Sequence, residues 1–326
     1  MRRPIFASLF AMIVCLIGIA GCSSDDETLV SPPLDLTTLD TQAKVDAFGD
    51  LGHVNYAEHL IIGLENTPNS SITNLDGLSE LVSVKGLTVY FNDELGDLSG
   101  LEGLMTIGSD GLVIEENPTL ANVQSLMSLT SIGGDTFISM NGIMGNLDGL
   151  ENLNTVDGDL KIDDNPKLTN VQGLIGLTSI GGDLWLHEHP SLANVNGLTN
   201  LTSVGGDATI ASNEIISSLV GLNNVTSIGG TLGIADNLAL ASIDGFRDLL
   251  TVGGTVLIDR NENVTDLWGL SKLSSVGGGL WMLNNPRLAD FCGVQPLVKA
   301  GFNGSYSAVG NNWNPTLAQI DAMFCN

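Results

Sequence analysis

Apolar positions along this chain follow two short spacings. In residues 192–204 an apolar side chain occupies every third position, and aliphatic pairs two residues apart recur, such as Leu160/Ile162 and Leu184/Leu186. The three-residue spacing fits neither a long α-helix nor a flat strand, and predicts short extended or 3₁₀ pieces with one side inward. The two-residue alternation predicts a short strand with Leu184 and Leu186 inward.

Both spacings recur within a repeat of 24 residues, whose frame is L-x-x-V-x-G-L-x-x-L-x-S-I-G-G-D-L-x-I-x-x-N. The copies begin at Leu120, Met144, Leu168, Leu192, Ile216, Leu240, Val264 and Leu288, after two slightly shifted copies that begin at Ile72 and Leu95. One copy cannot bury its own apolar face, so the copies must stack. We therefore expect a mainly β solenoid of about nine coils.

One polar side chain closes each predicted strand. The asparagines of this row are Asn117, Asn141, Asn165, Asn213, Asn237, Asn261 and Asn285, and His189 takes the position in one copy. A buried amide at each corner can satisfy backbone groups of the next coil, which predicts a structural ladder of asparagines. Glycine pairs such as 181–182 precede the strands and predict a sharp turn.

The stretch L-K-I-D-D-N-P-K-L at residues 160–168 resembles internalin-like leucine-rich repeats and, more closely, the receptor L-domain repeat. The usual leucine-rich core has leucine two residues after the asparagine, whereas here it comes three residues after, which favours the L-domain-like coil. The resemblance covers about residues 58–317. It implies a right-handed solenoid with one parallel sheet per face, used for binding and without catalytic residues.

The first residues form a leader, MRRPIFASLFAMIVCLIGIAGC. Its apolar stretch, residues 6–19, is shorter than the roughly 20 residues that span a bilayer. The end of the leader resembles a bacterial lipobox, so residues 1–21 are expected to be removed as a signal peptide and Cys22 to be lipidated. The alternative is an ordinary signal peptide with a chance cysteine.

Residues 22–39 are expected to form a flexible acidic tether. Ser23 after the cysteine resembles lipoproteins sorted to the outer membrane, and the following acidic run resembles a surface-export tag. We therefore expect an outer-membrane lipoprotein at the cell surface, held in the membrane by its lipid.

The two ends of a solenoid expose apolar surface and strand edges, so both need caps. Residues 40–71 are expected to form the N-terminal cap, with a short helix over 41–48, and residues 72–291 the repeat solenoid. Residues 292–326 would form the C-terminal cap. Cys292 and Cys325 would pin this cap by a disulfide in an oxidising compartment, the alternative being two free thiols.

The formal net charge is −26, and removal of the leader with its two arginines makes it −28. Such a surface repels phosphates, which excludes nucleic acid as a partner. Cationic partners, divalent ions and neutral glycans remain compatible with this charge.

Few residues indicate chemistry. His187 points outward in the repeat register while His189 points inward, so the pair does not predict a metal site. The carboxylate pairs 115–116 and 163–164 lie where acids are solvated, so neither an enzyme nor a cofactor is expected. A weak calcium candidate is the row Asp135, Asp159, Asp183 and Asp207, for which solvation with counterions is the alternative.

The outward side of the strands is the candidate binding face. It carries Phe137, Lys161, Asp163, Trp185, His187 and Trp281. Flat rings with flanking acids suit contact with a carbohydrate or a protein. The alternatives are cover by a neighbouring loop and self-association. The sequence thus favours a monomeric binding or adhesion module, then a structural envelope protein without a ligand, and last a hydrolase acting on envelope polymers.

Overall fold

A computed structural model describes residues 37–64 and 71–325 of the chain. The expected signal peptide, Cys22 and most of the expected tether lie outside the described residues. Within these residues, no helix combines the length and the apolar character needed to cross a membrane.

The described residues form one sheet of 19 strands, and each recorded strand pair is parallel. The strands are Thr38–Leu39 (β1), Asn55–Ile62 (β2), Ser83–Tyr90 (β3), Thr106–Glu115 (β4), Ser131–Ile132 (β5), Thr136–Ser139 (β6), Thr155–Val156 (β7), Leu160–Asp163 (β8), Ser179–Ile180 (β9), Leu184–His187 (β10), Ser203–Val204 (β11), Ala208–Ala211 (β12), Ser227–Ile228 (β13), Leu232–Ala235 (β14), Thr251–Val252 (β15), Val256–Asp259 (β16), Ser275–Val276 (β17), Leu280–Leu283 (β18) and Tyr306–Val309 (β19).

Helical structure is short. The α-helices are Gln42–Gly49 (α1), Gln295–Lys299 (α2) and Leu317–Asp321 (α3). The 3₁₀ turns are Asp76–Leu78, Gln124–Leu126, Gln172–Leu174, Asn196–Leu198, Val220–Leu222, Asp244–Phe246, Trp268–Leu270 and Cys292–Val294. These turns occupy the part of the repeat with three-residue apolar spacing, as the sequence predicts.

Equivalent positions of successive copies are direct neighbours. Leu184 pairs with Leu160 on one side and with Ala208 on the other, each 24 residues away. The same offset relates the short strands, for example Ser203 and Ser227. This register confirms the parallel, solenoid-like β fold.

The core lies between the strands and the 3₁₀ turns of each copy. Leu186 and Leu198 are both fully buried, the first from strand β10 and the second from the turn Asn196–Leu198. The Asn194 Oδ1 atom starts that turn by accepting the backbone N–H of Asn196 at 3.1 Å. The hydrogen bond from Asn196 fixes the chain at the start of the turn, and the apolar side chains of Val195 and Leu198 face inward on either side of it.

The asparagines that follow the strands form a buried column. Asn213 Nδ2 donates to the carbonyls of Leu186 and Ala211, both at 3.0 Å, and Asn213 Oδ1 accepts the backbone N–H of His189 at 3.2 Å. The amide therefore satisfies backbone groups of its own coil and of the coil before it. The members are Asn92, Asn117, Asn141, Asn165, His189, Asn213, Asn237, Asn261, Asn285 and Asn311.

His189 occupies the column as a neutral imidazole. Its Nδ1 atom accepts the backbone N–H of Asn165 at 3.2 Å, and its Nε2 atom lies 3.1 Å from the Ile162 carbonyl, to which it donates. Burial lowers the pKa of His189, although its bond to the Ile162 carbonyl opposes this. A proton on Nδ1 would face the backbone N–H of Asn165, so the neutral imidazole suits the site.

The residue before each column member has a positive φ, which ranges from 43° at Asp164 to 75° at Gly310. Asn165 Nδ2 donates to the carbonyl of Asp163, two residues earlier, at 3.0 Å. This bond closes a tight corner that places the intervening residue in the left-handed region, at some cost in strain for a residue other than glycine.

Glycine allows neighbouring coils to approach closely. A Cβ atom on Gly173 would lie 1.8 Å from the Leu147 carbonyl oxygen, and one on Gly181 would lie 2.0 Å from that of Asp157. The paired glycines, including Gly181, do not have a positive φ. Gly181 and Gly182 lie at a bend between two strands, as expected, and glycine is needed there because no room is left for a side chain.

Both ends carry additional elements. At the N-terminus, Thr41 caps α1, as the sequence predicts, and β1 pairs with β2 through the buried Leu39. Thr38 and Leu39, the last residues of the expected tether, therefore form strand β1. At the C-terminus, Cys292 and Cys325 form the predicted disulfide, with their Cα atoms 5.5 Å apart.

We expect Asn213→Ala to lower the free energy of unfolding by roughly 3 kcal/mol, because it leaves two carbonyls and one N–H buried without partners. Chemical denaturation followed by circular dichroism measures the change. Asn224→Ala is the matched control, since the amide of Asn224 is exposed and donates only to the Thr199 carbonyl. Equal stability of the two variants would contradict a structural role for the column.

We expect His189→Asn to make stability less dependent on pH. The pKa of His189 is lowered in the folded chain, so the unfolded state takes up a proton first as the pH falls below about 6.5. The wild type should therefore lose stability between pH 7 and pH 5 relative to the variant, whose amide titrates in neither state. Denaturation curves at both pH values test this, and a constant difference between the two proteins would refute it.

Candidate functional site

The outward side chains of the strands form a surface that we call the outer sheet face. Its first row is Val113, Phe137, Lys161, Trp185, Thr209, Gly233, Leu257 and Trp281, and its second row is Glu115, Ser139, Asp163, His187, Ala211, Ala235, Asp259 and Leu283. Inward and outward positions alternate along each strand, as predicted. The register brings all six candidate residues onto this face, with Trp281 four strands from Trp185.

Lys161 is held between an aromatic ring and a carboxylate. Its Nζ atom lies 5.5 Å from the ring centroid of Phe137 and 2.6 Å from the Asp159 Oδ2 atom. Burial raises the pKa of Asp159, but the N–H of Asp183 and the ammonium of Lys161 outweigh it, so that pKa lies below its usual value. The charge of Lys161 is therefore already paired.

His187 joins an aromatic ring to a carboxylate on the same face. Its Nδ1 atom lies 2.7 Å from Asp163 Oδ1, and its ring centroid lies 5.3 Å from that of Trp185. The hydrogen bond to Asp163 raises the pKa of His187, and burial opposes it. The two contacts fix the imidazole beside the half-buried indole.

The centre of the face carries small side chains. Thr209, Ala211, Gly233 and Ala235 lie on strands β12 and β14, between Trp185 on β10 and Leu257 on β16. We call this depression the trough; its walls are Trp185 with His187 and Leu257 with Trp281.

The indole of Trp281 is 38% exposed, and its Nε1 atom donates to Ser305 Oγ at 3.2 Å. Its orientation is therefore set by a hydrogen bond rather than by burial alone.

The acids near the second wall are paired as well. Arg260 donates from Nε and a terminal nitrogen to the two carboxylate oxygens of Asp236, both at 2.6 Å, and also contacts Asp259. Asn284 Nδ2 donates to Asp259 Oδ1 at 3.1 Å. Each of these acids therefore has a polar partner, although Arg260 supplies one positive charge against two carboxylates.

The row of aspartates proposed for calcium contacts backbone instead. Asp135 Oδ1 accepts the N–H of Asp159 at 2.9 Å, and Asp159 Oδ1 accepts that of Asp183 at 2.8 Å. Asp183 and Asp207 continue the row in the same way. Across the described ranges, no group of three or more His, Cys, Asp or Glu side chains is arranged to hold a metal ion. The structure therefore gives this row a role in stacking the coils.

One cluster that sequence reasoning missed lies near the N-terminal end. Thr88 Oγ1 is 2.8 Å from His59 Nε2, and His59 Nδ1 is 3.9 Å from Asp110, which pairs with Lys85 at 3.0 Å. Thr88, His59 and Asp110 follow one another in the order hydroxyl, base and acid. The 3.9 Å between His59 Nδ1 and Asp110 is, however, too long for a hydrogen bond. Thr88 also lies within β3, which is paired on both sides, so its backbone offers no ready oxyanion site.

The trough was also missed, because Gly233 and Thr209 carry no signal of their own in the repeat. The arrangement as a whole presents flat rings and paired polar groups on a rigid sheet, which suits binding more than catalysis. Searches of the chain against protein-family models and against curated proteins found no match.

Proposed function

We propose that this chain is an outer-membrane lipoprotein, displayed at the cell surface, that binds a ligand through its outer sheet face. In this proposal residues 1–21 are removed, Cys22 carries the lipid, and residues 22–39 form the tether. Residues 72–291 form a right-handed solenoid of about nine coils, capped by residues 40–71 and 292–326, and the chain acts as a monomer.

The observation that carries the binding proposal is the set of exposed or half-buried rings on a surface of otherwise small and paired side chains. Trp281 remains 38% exposed although its strand neighbours Leu280 and Met282 are fully buried. Large rings left accessible on one face are typical of interaction sites. Because the strands on both sides fix these rings, little conformational entropy would be lost on binding.

Two other functions compete with this proposal. A structural envelope protein would need the coils but no accessible ring, so retention of a ligand separates it from a binding module. A hydrolase acting on envelope polymers would need an acid and a nucleophile or base beside its substrate. The paired state of Asp163 with His187 offers less support for that reading.

We expect Trp185→Ala and Trp281→Ala to weaken binding about tenfold or more each, because each removes a ring from the contact surface. Retention of the full chain on arrays of glycans and of proteins measures this. Trp268→Ala is the matched control, since Trp268 is 40% exposed but lies on a 3₁₀ turn outside the outer sheet face. If the wild type binds nothing on broad arrays, the proposal fails; if Trp268→Ala has the same effect, the face is misassigned.

We expect Cys22→Ser to abolish incorporation of a labelled fatty acid and to release the chain from the membrane fraction, because the thiol is the proposed acylation site. Cys15→Ser, a change within the leader, is the control and should leave both unchanged. Labelling of the Cys22→Ser variant would refute the anchor. Protease treatment of intact cells tests surface display, and full protection of the wild type would place the chain in the periplasm.

A further inference from the structure

Gly233 is a glycine that the fold does not require. Four glycines lie in described strands, and a Cβ atom at Gly86, Gly108 or Gly111 would come within 3.0 Å of a neighbouring atom. At Gly233 the nearest atoms would be Thr209 Oγ1 at 3.5 Å and Thr209 Cγ2 at 4.0 Å, which are ordinary contacts.

The φ of Gly233 is not in the left-handed region either. Glycine in a strand interior lowers stability, and it often marks a bulge, a tight bend or a place where a ligand or another backbone approaches closely. Gly233 is itself buried, and the space above it that a side chain would fill is left open without serving the backbone.

The size of the trough suits a ligand of ring dimensions. The backbones of β10 and β16 are three strand steps apart, or about 14 Å. Between them lie only a threonine, a glycine and two alanines, so a ring could descend between the indole of Trp185 and the side chain of Leu257.

The charge of the trough and its surroundings disfavours an anionic ligand. Asp163 is paired with His187, and Asp236 and Asp259 are paired with Arg260, so no unpaired cation is available to hold an anion there. The surplus of acids elsewhere on the chain repels anionic polymers. An uncharged ligand with many hydroxyls meets neither obstacle.

Polar groups on the walls are available to such a ligand. Among the described residues, Thr209 Oγ1 on the floor and Trp185 Nε1 on the first wall have no hydrogen-bond partner. The second oxygen of Asp163, on strand β8 beyond that wall, has none within the described ranges either, and the Asp163 side chain is 38% exposed. These three groups offer both donors and acceptors beside a flat ring. The backbone of the sheet face is already paired, so an extended peptide would lack the main-chain bonds that recognise it.

We propose that the trough binds the rings of a neutral glycan, which stack on Trp185 and Trp281 and reach the floor at Gly233. This inference rests on the proposed binding function and adds the class of ligand and the place of contact. The sugar hydroxyls would bond to Thr209, while the apolar sugar face covers the indole.

The test fills the trough without disturbing the sheet. Gly233→Tyr adds a residue that strands favour, so its melting temperature should equal or exceed that of the wild type. Its binding to neutral polysaccharides (a β-linked glucan, a mannan and a galactan) should fall at least about tenfold. Gly145→Tyr is the matched control, since a Cβ there meets no atom within 4 Å and the site lies away from the trough.

Binding is measured by affinity electrophoresis and tryptophan fluorescence, with the full chain in a detergent that lacks a sugar headgroup. Loss of binding in Gly233→Tyr but not in Gly145→Tyr supports the inference. If Gly233→Tyr leaves the binding of neutral glycans intact, the inference is overturned. It is also overturned if the wild type retains only a charged polysaccharide or only proteins. In both cases the proposed binding function stands. If the wild type binds nothing, both proposals fail. A dimer of the wild type that Gly233→Tyr dissolves would instead make the trough a self-association surface.

Discussion

Hydrogen bonding of buried corners is the constraint on which the rest of this structure depends. A chain that leaves a strand and turns back inside a core exposes carbonyl and N–H groups that water cannot reach. Asparagine offers two donors and an acceptor on a short side chain, and Asn213 uses them on its own coil and on both neighbours. Because each amide needs its equivalent one coil away, the repeat length, the parallel register and the left-handed residue at each corner are set together.

Much of the fold could be predicted from the sequence, because its strongest signals are local and periodic. The alternation at Leu184 and Leu186 places the strands, and the row that includes Asn165 places the corners. The positive φ of Glu116, Met140 or Arg260 could not be predicted, since none of these residue types favours that region. The positive φ is imposed by the asparagine at the next position, whose side chain bonds to the carbonyl of the residue before the corner. Residue propensities do not include such a bond.

The candidate site was predictable in part. Outward orientation follows from period-two alternation, so Trp185 and His187 could be placed on one face. The pairing of His187 with Asp163 across neighbouring strands depends on side-chain rotamers, which the repeat does not specify. The row beginning at Asp135 suggested a cation because like charges stand in a column; the sequence does not show that these carboxylates also accept backbone N–H groups of the next coil.

The 24-residue register has a further consequence for how such a molecule can change. The strand pairs between the regular copies join equivalent positions, so the junction left after removal of one such unit would match the junctions already present. Unequal recombination between copies could then shorten or extend the array in whole units while each surviving junction keeps its geometry. The trough occupies strands from β10 to β18, so units added or lost before β10 would alter its distance from the chain's start without altering its walls.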